Sequence, residues 1–191
     1  MEKSICVYCS SSDHISETYV PVAQTTGRLI TERGYTLIYG GGNVGLMGVL
    51  ARSVHECGGR VFGVIPEALK AIEGVAYDLA DELVVTRTMQ ERKAIMFTKA
   101  NAFLVLPGGF GTLEEFMEVL TLKQLRYHNK ALVLVNAGGF YDPLVELFEH
   151  FYRERFARVR YRNLYHLADT PEEALDYIDS YLPEPIEDKW T

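Results

Sequence analysis

Two patterns of apolar and polar positions alternate along the chain. Short, nearly continuous apolar runs are typical of strands buried on both faces, and longer segments with an apolar residue every third or fourth position are typical of helices. The first pattern predicts strands at residues 4–9, 36–39, 60–65, 82–86, 102–106 and 131–135, with a short seventh at 164–167. The second predicts helices at 19–33, from a glycine turn to about 57, and at 89–100, 112–125, 142–155 and 170–181, with a short helix plus loop between 67 and 80.

This alternation of strands and helices predicts the fold class. Successive strands joined through helices lie parallel, with the helices covering both faces of the sheet. We therefore predict an α/β protein with one doubly wound, Rossmann-like, mostly parallel sheet of about six to seven strands. Residues 1–182 are expected to form a single nucleotide-monophosphate-binding domain and residues 183–191 a tail. Ligands of such sheets bind beyond the carboxyl ends of the strands, where the loops after strands 1, 2 and 5 should meet.

The most informative stretch follows the fifth predicted strand. Residues 107–111 read Pro-Gly-Gly-Phe-Gly, and a helix follows, with Thr112 as its predicted cap. A glycine turn that enters a helix presents free N–H groups and a partial positive charge to an anion, usually a phosphate. Glu114 and Glu115 bring two carboxylates into the same helical turn. Thr112 and Glu115 also fit a capping box, so the pattern leaves a purely structural role for Glu115 open.

Another glycine turn, the first in chain order, follows the second strand. Gly40, Gly42 and Gly45 fit G-x-G-x-x-G, and Glu67 stands about where a ribose-binding acid of a dinucleotide site would fall. The fingerprint usually follows the first strand, however, and a tight turn without any ligand is the competing interpretation. Neither glycine turn carries the lysine of a Walker loop.

The helix predicted after the fourth strand opens with basic residues. Arg92 and Lys93 lie near a helix N-terminus, where positive charge does not suit the helix dipole. Their presence indicates a negative group nearby, and a solvated helix end is the alternative.

Composition narrows the possible partners and location. The chain of 191 residues is 48% hydrophobic and carries a net charge of −7, which argues against general nucleic-acid binding. No apolar run reaches the roughly 18 residues of a membrane helix, and the N-terminus lacks a signal-peptide layout. We expect a cytoplasmic protein.

The cysteines and histidines do not indicate a metal site. Cys6 and Cys9 are predicted to pack on opposite faces near the first strand, and the five histidines lack ligand spacing, so no metal is expected.

Several motifs together resemble one family. The segment at 107–115 with Met89-x-x-Arg92-Lys93 upstream is similar to the LOG family of cytokinin riboside 5′-monophosphate phosphoribohydrolases, formerly called "lysine decarboxylase-like". The glycine turn at 40–48 and the segment 5–9 match as well, and the resemblance covers roughly residues 4–152. The decarboxylase label finds no support, because no pyridoxal-phosphate architecture is recognisable.

This resemblance implies hydrolysis of the N-glycosidic bond of AMP or an N6-modified AMP, without a cofactor, in a homodimer or larger oligomer. It implies catalytic roles for Arg92 and Glu115. The implied substrate-binding residues are Gly45, Met47, Glu73, Arg92, Lys93, Gly109, Phe110, Gly111, Thr112, Leu113, Glu114, Glu115 and Thr121.

Other hypotheses remain beside this one. Related folds include nucleotide or cofactor carriers that bind phosphate without catalysis, and the first glycine turn leaves a small NAD(P)-binding oxidoreductase open. Ser10 stands where family members commonly have glycine. The arginines between 153 and 162 could bind RNA, although a solvated or subunit-contact face is favoured by the acidic total charge.

Overall fold

The computed structural model describes residues 3–73 and 80–184, the side chains of 71–73 excepted. Its strands are β1 (Ser4–Tyr8), β2 (Thr36–Tyr39), β3 (Val61–Pro66), β4 (Glu82–Thr86), β5 (Ala102–Val105), β6 (Ala131–Val135) and β7 (His166–Ala168). Its α-helices are α1 (Val20–Glu32), α2 (Gly45–Glu56), α3 (Glu67–Glu73), α4 (Met89–Lys99), α5 (Phe110–Gln124), α6 (Asp142–Arg153) and α7 (Pro171–Ser180). Short 3-10 turns cover Glu17–Tyr19, Ala137–Gly139 and Val159–Leu164.

The seven strands form one parallel sheet in the order β4-β3-β2-β1-β5-β6-β7. This confirms the predicted doubly wound α/β fold. The strand order reverses at β1, where Cys6 lies opposite Ile38 of β2 on one side and Phe103 of β5 on the other. A crevice at the carboxyl ends of these strands is where such a sheet binds its ligand.

The core lies in two layers, one on each face of the sheet. Alternate residues of one strand enter different layers: Val7 packs with α1 and α2, whereas Cys6 packs with α4 and α5. Cys9 lies in the same layer as Val7, and both cysteines are free and buried, as predicted. Burial raises the pKa of both thiols, so both stay protonated at neutral pH.

Three local predictions are wrong. Helix α5 begins at Phe110 with Gly109 as its N-cap, so Thr112 caps nothing, and the predicted capping box does not form. The hydroxyl of Thr112 instead packs so tightly over Gly108 that a Cβ there would lie 2.1 Å from it. Strand β3 is also longer than the predicted strand at 60–65, since Pro66 is its last residue.

The last strand is also displaced, since it covers His166–Ala168 and Leu164 belongs to a 3-10 turn. The closing helix α7 does start as predicted. The Thr170 hydroxyl accepts a hydrogen bond from the Glu173 amide at 3.2 Å, and the Glu173 carboxylate accepts one from the Asp169 amide at 2.9 Å. In the described part of the chain, no helix has the length and hydropathy needed to cross a bilayer.

Candidate active site

A cleft of about 330 Å³ opens at the carboxyl edge of the sheet, where the strand order reverses. Its walls come from the end of β1 with the loop behind it, the first glycine turn, and the N-terminal ends of α4 and α5. The lining residues are Val7, Tyr8, Cys9, Ser10, Ser11, Ser12, Gly40, Met47, Leu69, Met89, Arg92, Met96, Gly109, Phe110, Gly111, Thr112, Glu114 and Glu115.

A buried ion pair lies in this cleft. Nη1 of Arg92 is 3.0 Å from Oε1 of Glu115, and the two side chains are only 8% and 9% exposed. Nε of Arg92 donates a second hydrogen bond to the carbonyl oxygen of Val64 at 3.1 Å, which fixes the plane of the guanidinium. The negative group expected near the basic start of α4 is therefore the carboxylate of Glu115.

The first glycine turn makes room for this pair. A Cβ atom on Gly40 would lie 2.0 Å from Nη2 of Arg92 and 3.0 Å from the sulfur of Met47. A side chain at position 40 would thus displace the guanidinium from Glu115.

The start of α5 forms the opposite wall. Gly109 supplies no side-chain cap, and the first N–H groups of any helix have no partner within the helix. Positions 109 and 111 have open space where a side chain would begin, so an anion could approach their backbone closely. This combination of exposed amides and helix dipole is the arrangement that binds phosphate.

The N-terminus of α2 is arranged differently. Its first amide, that of Gly45, donates to the carboxylate of Asp13 at 2.8 Å, so the chain itself supplies the anion at this helix end. Gly45 has φ +59°, and a Cβ there would lie 2.7 Å from backbone atoms of Ser11 and Ser12. Glu67, the candidate ribose ligand, pairs with Lys70 at 3.3 Å. The turn thus fastens the loop after β1 to α2, which argues against a dinucleotide site.

Most of the residues implied by the resemblance meet in the cleft. Met47, Arg92, Gly109, Phe110, Gly111, Thr112, Glu114 and Glu115 line it, whereas Gly45, Lys93, Leu113 and Thr121 do not. Leu113 lies on α5 and packs into the core layer that contains Phe116. Thr121 is exposed further along the same helix. The side chain of Glu73, the last residue of α3, lies outside the described part.

Lys93 is engaged by two carboxylates on α5. Its ammonium lies 2.5 Å from Glu114 and 2.8 Å from Glu118. Burial lowers the pKa of Lys93, but the hydrogen bonds to Glu114 and Glu118 outweigh this, and the pKa is raised. Lys93 borders a separate cavity of about 220 Å³ between α4 and α5.

Sequence reasoning missed several cleft residues, chiefly Tyr8, Leu69, Met89 and Met96. Tyr8 is the last residue of β1, and the rule that ligands bind at the carboxyl ends of strands could have singled it out. Burial, with further contributions from Cys6 and Glu115, raises the pKa of its phenol well above the ordinary value. Tyr8 is therefore a neutral, protonated neighbour of the ion pair.

Part of the basic segment that follows α6 is neutralised within the chain. Nε of Arg162 donates to Glu149 at 2.8 Å, and its guanidinium lies 5.2 Å from the ring centre of Tyr152.

Across residues 3–73 and 80–184, no three His, Cys, Asp or Glu side chains group together as metal ligands would.

The fold and the cleft define a Rossmann-like α/β protein in which a glycine turn of phosphate-binding type adjoins a buried carboxylate and a buried arginine. A family model described as "Possible lysine decarboxylase" matches residues 47–178. The chain is 41% identical over 182 residues to the cytokinin riboside 5′-monophosphate phosphoribohydrolase LOG of Oryza sativa subsp. japonica, covering 95% of this chain and 75% of the relative. It is 38% identical over 182 residues to LOG2 of Arabidopsis thaliana, which bears the same enzyme name, covering 95% and 85%. The chain belongs to the LOG family.

Solved structures of more distant proteins share the fold. The molybdenum cofactor carrier protein from Chlamydomonas reinhardtii superposes with a TM-score of 0.70 at 22% identity, covering 94% of this chain and 97% of the other. The molybdenum cofactor binding protein from Rippkaea orientalis gives 0.69 at 24%, covering 94% and 98%. At these identities the likeness extends to the architecture alone.

Proposed function

We propose that the protein hydrolyses the N-glycosidic bond of AMP or an N6-modified AMP, releasing the free base and ribose 5-phosphate. The observation that carries this proposal is the buried pair of Arg92 and Glu115 in one cleft with an open, glycine-capped helix N-terminus. The enzyme names of the Oryza and Arabidopsis relatives support the same reaction.

The chemistry needs a fixed carboxylate. Cleavage of the bond between sugar and base builds positive charge on the sugar ring, which a nearby carboxylate stabilises. Glu115 is assigned to this charge and to the activation of the attacking water. Arg92 holds the carboxylate of Glu115 in one orientation, because its Nη1 donates a hydrogen bond to Oε1 at 3.0 Å.

We assign phosphate binding to the first turn of α5. The amides of residues 110–112 would hold the 5′-phosphate, and Glu115 follows Gly111 by four residues on the same helix. Four residues of α-helix advance about 6 Å along the axis. A nucleotide with its phosphate at the helix end would thus have its sugar beside the Glu115 carboxylate.

The substrate assignment is tested by incubating the protein with AMP, N6-prenylated AMP and adenosine, and measuring free base by chromatography. We expect base release from a 5′-monophosphate at least about 100-fold faster than from adenosine, since binding energy at the phosphate contributes to catalysis. Equal rates with adenosine would contradict the role of the helix end. Tight binding of the nucleotides without base release would favour a carrier.

We further propose that a second copy of the chain completes the cleft. Phe110 on α5 and Met89 on α4 both line the cleft, and their side chains are 94% and 38% exposed. Large apolar side chains grouped around a ligand site commonly mark a protein interface.

Light scattering coupled to size exclusion should therefore show a dimer or a larger assembly. Phe110→Asp is expected to weaken self-association at least tenfold, because it places a charge in an apolar contact. Phe156, which is 87% exposed outside the cleft, provides the matched control, and Phe156→Asp should leave the assembly intact. A monomeric wild-type protein at assay concentrations would refute the proposal.

A further inference from the structure

A second and larger cavity, of about 670 Å³, lies at the opposite edge of the sheet. Helices of a doubly wound sheet run against the strands, so helix C-termini meet strand beginnings at this edge. The cavity is accordingly formed by the C-terminal ends of α5 and α7 and the residues that enter β6 and β7. The lining residues that matter for binding are Lys123, Asn129, Tyr161, His166, Tyr177 and Tyr181.

Lys123 contributes a buried cation to this cavity. The residue is 2% exposed, and its ammonium donates to the hydroxyl of Tyr181 at 3.0 Å and lies 4.8 Å from the centre of the same ring. Within the described chain, Lys123 forms no ion pair with a carboxylate. Burial lowers the pKa of Lys123 to about 8, which leaves the ammonium mostly charged at neutral pH.

The walls beside Lys123 are aromatic. The rings of His166 and Tyr177 stack at 4.0 Å, and Tyr181 tilts against Tyr177 at 5.6 Å. The Tyr181 hydroxyl, which accepts from Lys123, donates in turn to Asn129 at 3.0 Å. The hydroxyl of Tyr161 is buried and has no hydrogen-bond partner within the described residues.

We propose that this cavity is a second binding site, for a small aromatic anion: a planar ring that carries a phosphate or a carboxylate. The ring would lie against the tyrosine walls, and the anion would accept hydrogen bonds from the ammonium of Lys123 and the hydroxyl of Tyr161. Buried charges and buried hydroxyls normally have partners, and such a ligand supplies both at once. The proposed substrate cleft lies at the other edge of the sheet, and the two sites share no lining residue.

The test is calorimetric titration of the full chain with phenyl phosphate, benzoate and uncharged phenol. Lys123→Met removes the cation while keeping an unbranched side chain, and loss of an unpaired buried charge should not impair folding. We expect this substitution to weaken binding of the aromatic anion about tenfold or more and to leave phenol unaffected. Binding of phenyl phosphate would identify the anionic group as a phosphate, and binding of benzoate would identify it as a carboxylate.

Gly111→Asp separates this site from the cleft. It adds a negative charge in open space at the start of α5. There it repels a phosphate from the substrate cleft, and it lies away from the second cavity. Binding that survives Gly111→Asp and is lost in Lys123→Met supports the second site. Binding lost in Gly111→Asp instead, or no binding of either anion to the wild-type chain, overturns the proposal.

The pH dependence adds an independent measurement. Affinity for the anion should fall between pH 7 and pH 9 as Lys123 loses its proton, and Lys123→Met should abolish that change. The other charged or titratable groups that face the cavity are Arg160, Tyr161, Arg162, Tyr165, His166, Tyr177, Tyr181 and Glu184. Burial lowers the pKa of His166 and raises those of Tyr165, Tyr177 and Tyr181, so these four stay neutral over this range. An unchanged pH profile in Lys123→Met would contradict the assignment.

Discussion

Glu115→Gln should lower kcat for base release by about 10³-fold or more while nucleotide binding stays close to the wild-type value. The substitution keeps the shape of the side chain, and its amide oxygen can still accept from Arg92. What it removes is the negative charge that stabilises the developing positive charge on the sugar, an effect realised mainly in the transition state. Single-turnover chromatography gives the rate, and calorimetry with AMP gives the binding constant.

Glu118→Gln is the matched control for this prediction. Glu118 lies three residues further along α5, pairs with Lys93 at 2.8 Å and does not line the cleft. The same chemical change there should leave kcat within about twofold, because surface ion pairs contribute little. Comparable losses in both variants, or a Glu115→Gln enzyme with near-normal turnover, would remove Glu115 from the proposed role.

The Glu115 variant should also be less stable, which matters for its assay. Glutamine leaves the Arg92 guanidinium buried without its counter-charge, and breaking a buried ion pair costs about 3–5 kcal/mol. Thermal unfolding followed by circular dichroism therefore accompanies the kinetic measurement, so that the loss of turnover is recorded on folded protein.

The sequence predicts the sheet well because the apolar pattern of each strand lies in neighbouring residues. Strand β6 is a continuous apolar run from Ala131 to Val135, and all five residues are buried, as parallel strands covered by helices require. The glycine turn before α5 is likewise recognisable, since the residues that open a helix N-terminus are adjacent in the chain. Local rules fail at Thr112, where the good capping residue lies inside the first helical turn because Gly109 takes the cap position.

The rest of the candidate site depends on contacts between distant residues. Arg92 and Glu115 are 23 residues apart, and each alone fits a solvated helix end or a capping box. Only the order of the strands brings the starts of α4 and α5 to one crevice. Gly40 shows the same limit: its motif suggests a dinucleotide turn, whereas in the structure Gly40 makes space for a guanidinium from α4.

Because Gly40 lies so close to the guanidinium of Arg92, we expect Gly40→Ala to cause a second large loss of activity. The added methyl group would lie 2.0 Å from Nη2 of Arg92, so the guanidinium must leave its position against Glu115. A misplacement of about 1 Å in a catalytic group can lower the rate about 100-fold, and we expect a loss of at least that size. Gly40 has an ordinary backbone conformation, so the loss would come from the displaced arginine and not from backbone strain.

Combining two substitutions distinguishes an effect of Gly40→Ala that acts through Arg92 from a general loss of packing. Thermal unfolding of Gly40→Ala should show a lower midpoint than the wild type, because a buried ion pair is disturbed. In an Arg92→Ala background the clashing atom is absent, and adding Gly40→Ala should change the midpoint little, since coupled residues are not additive. An equal destabilisation in both backgrounds would mean that Gly40 acts through Met47 or the turn itself. The empty side-chain position at Gly40 would then have no part in holding the arginine against Glu115.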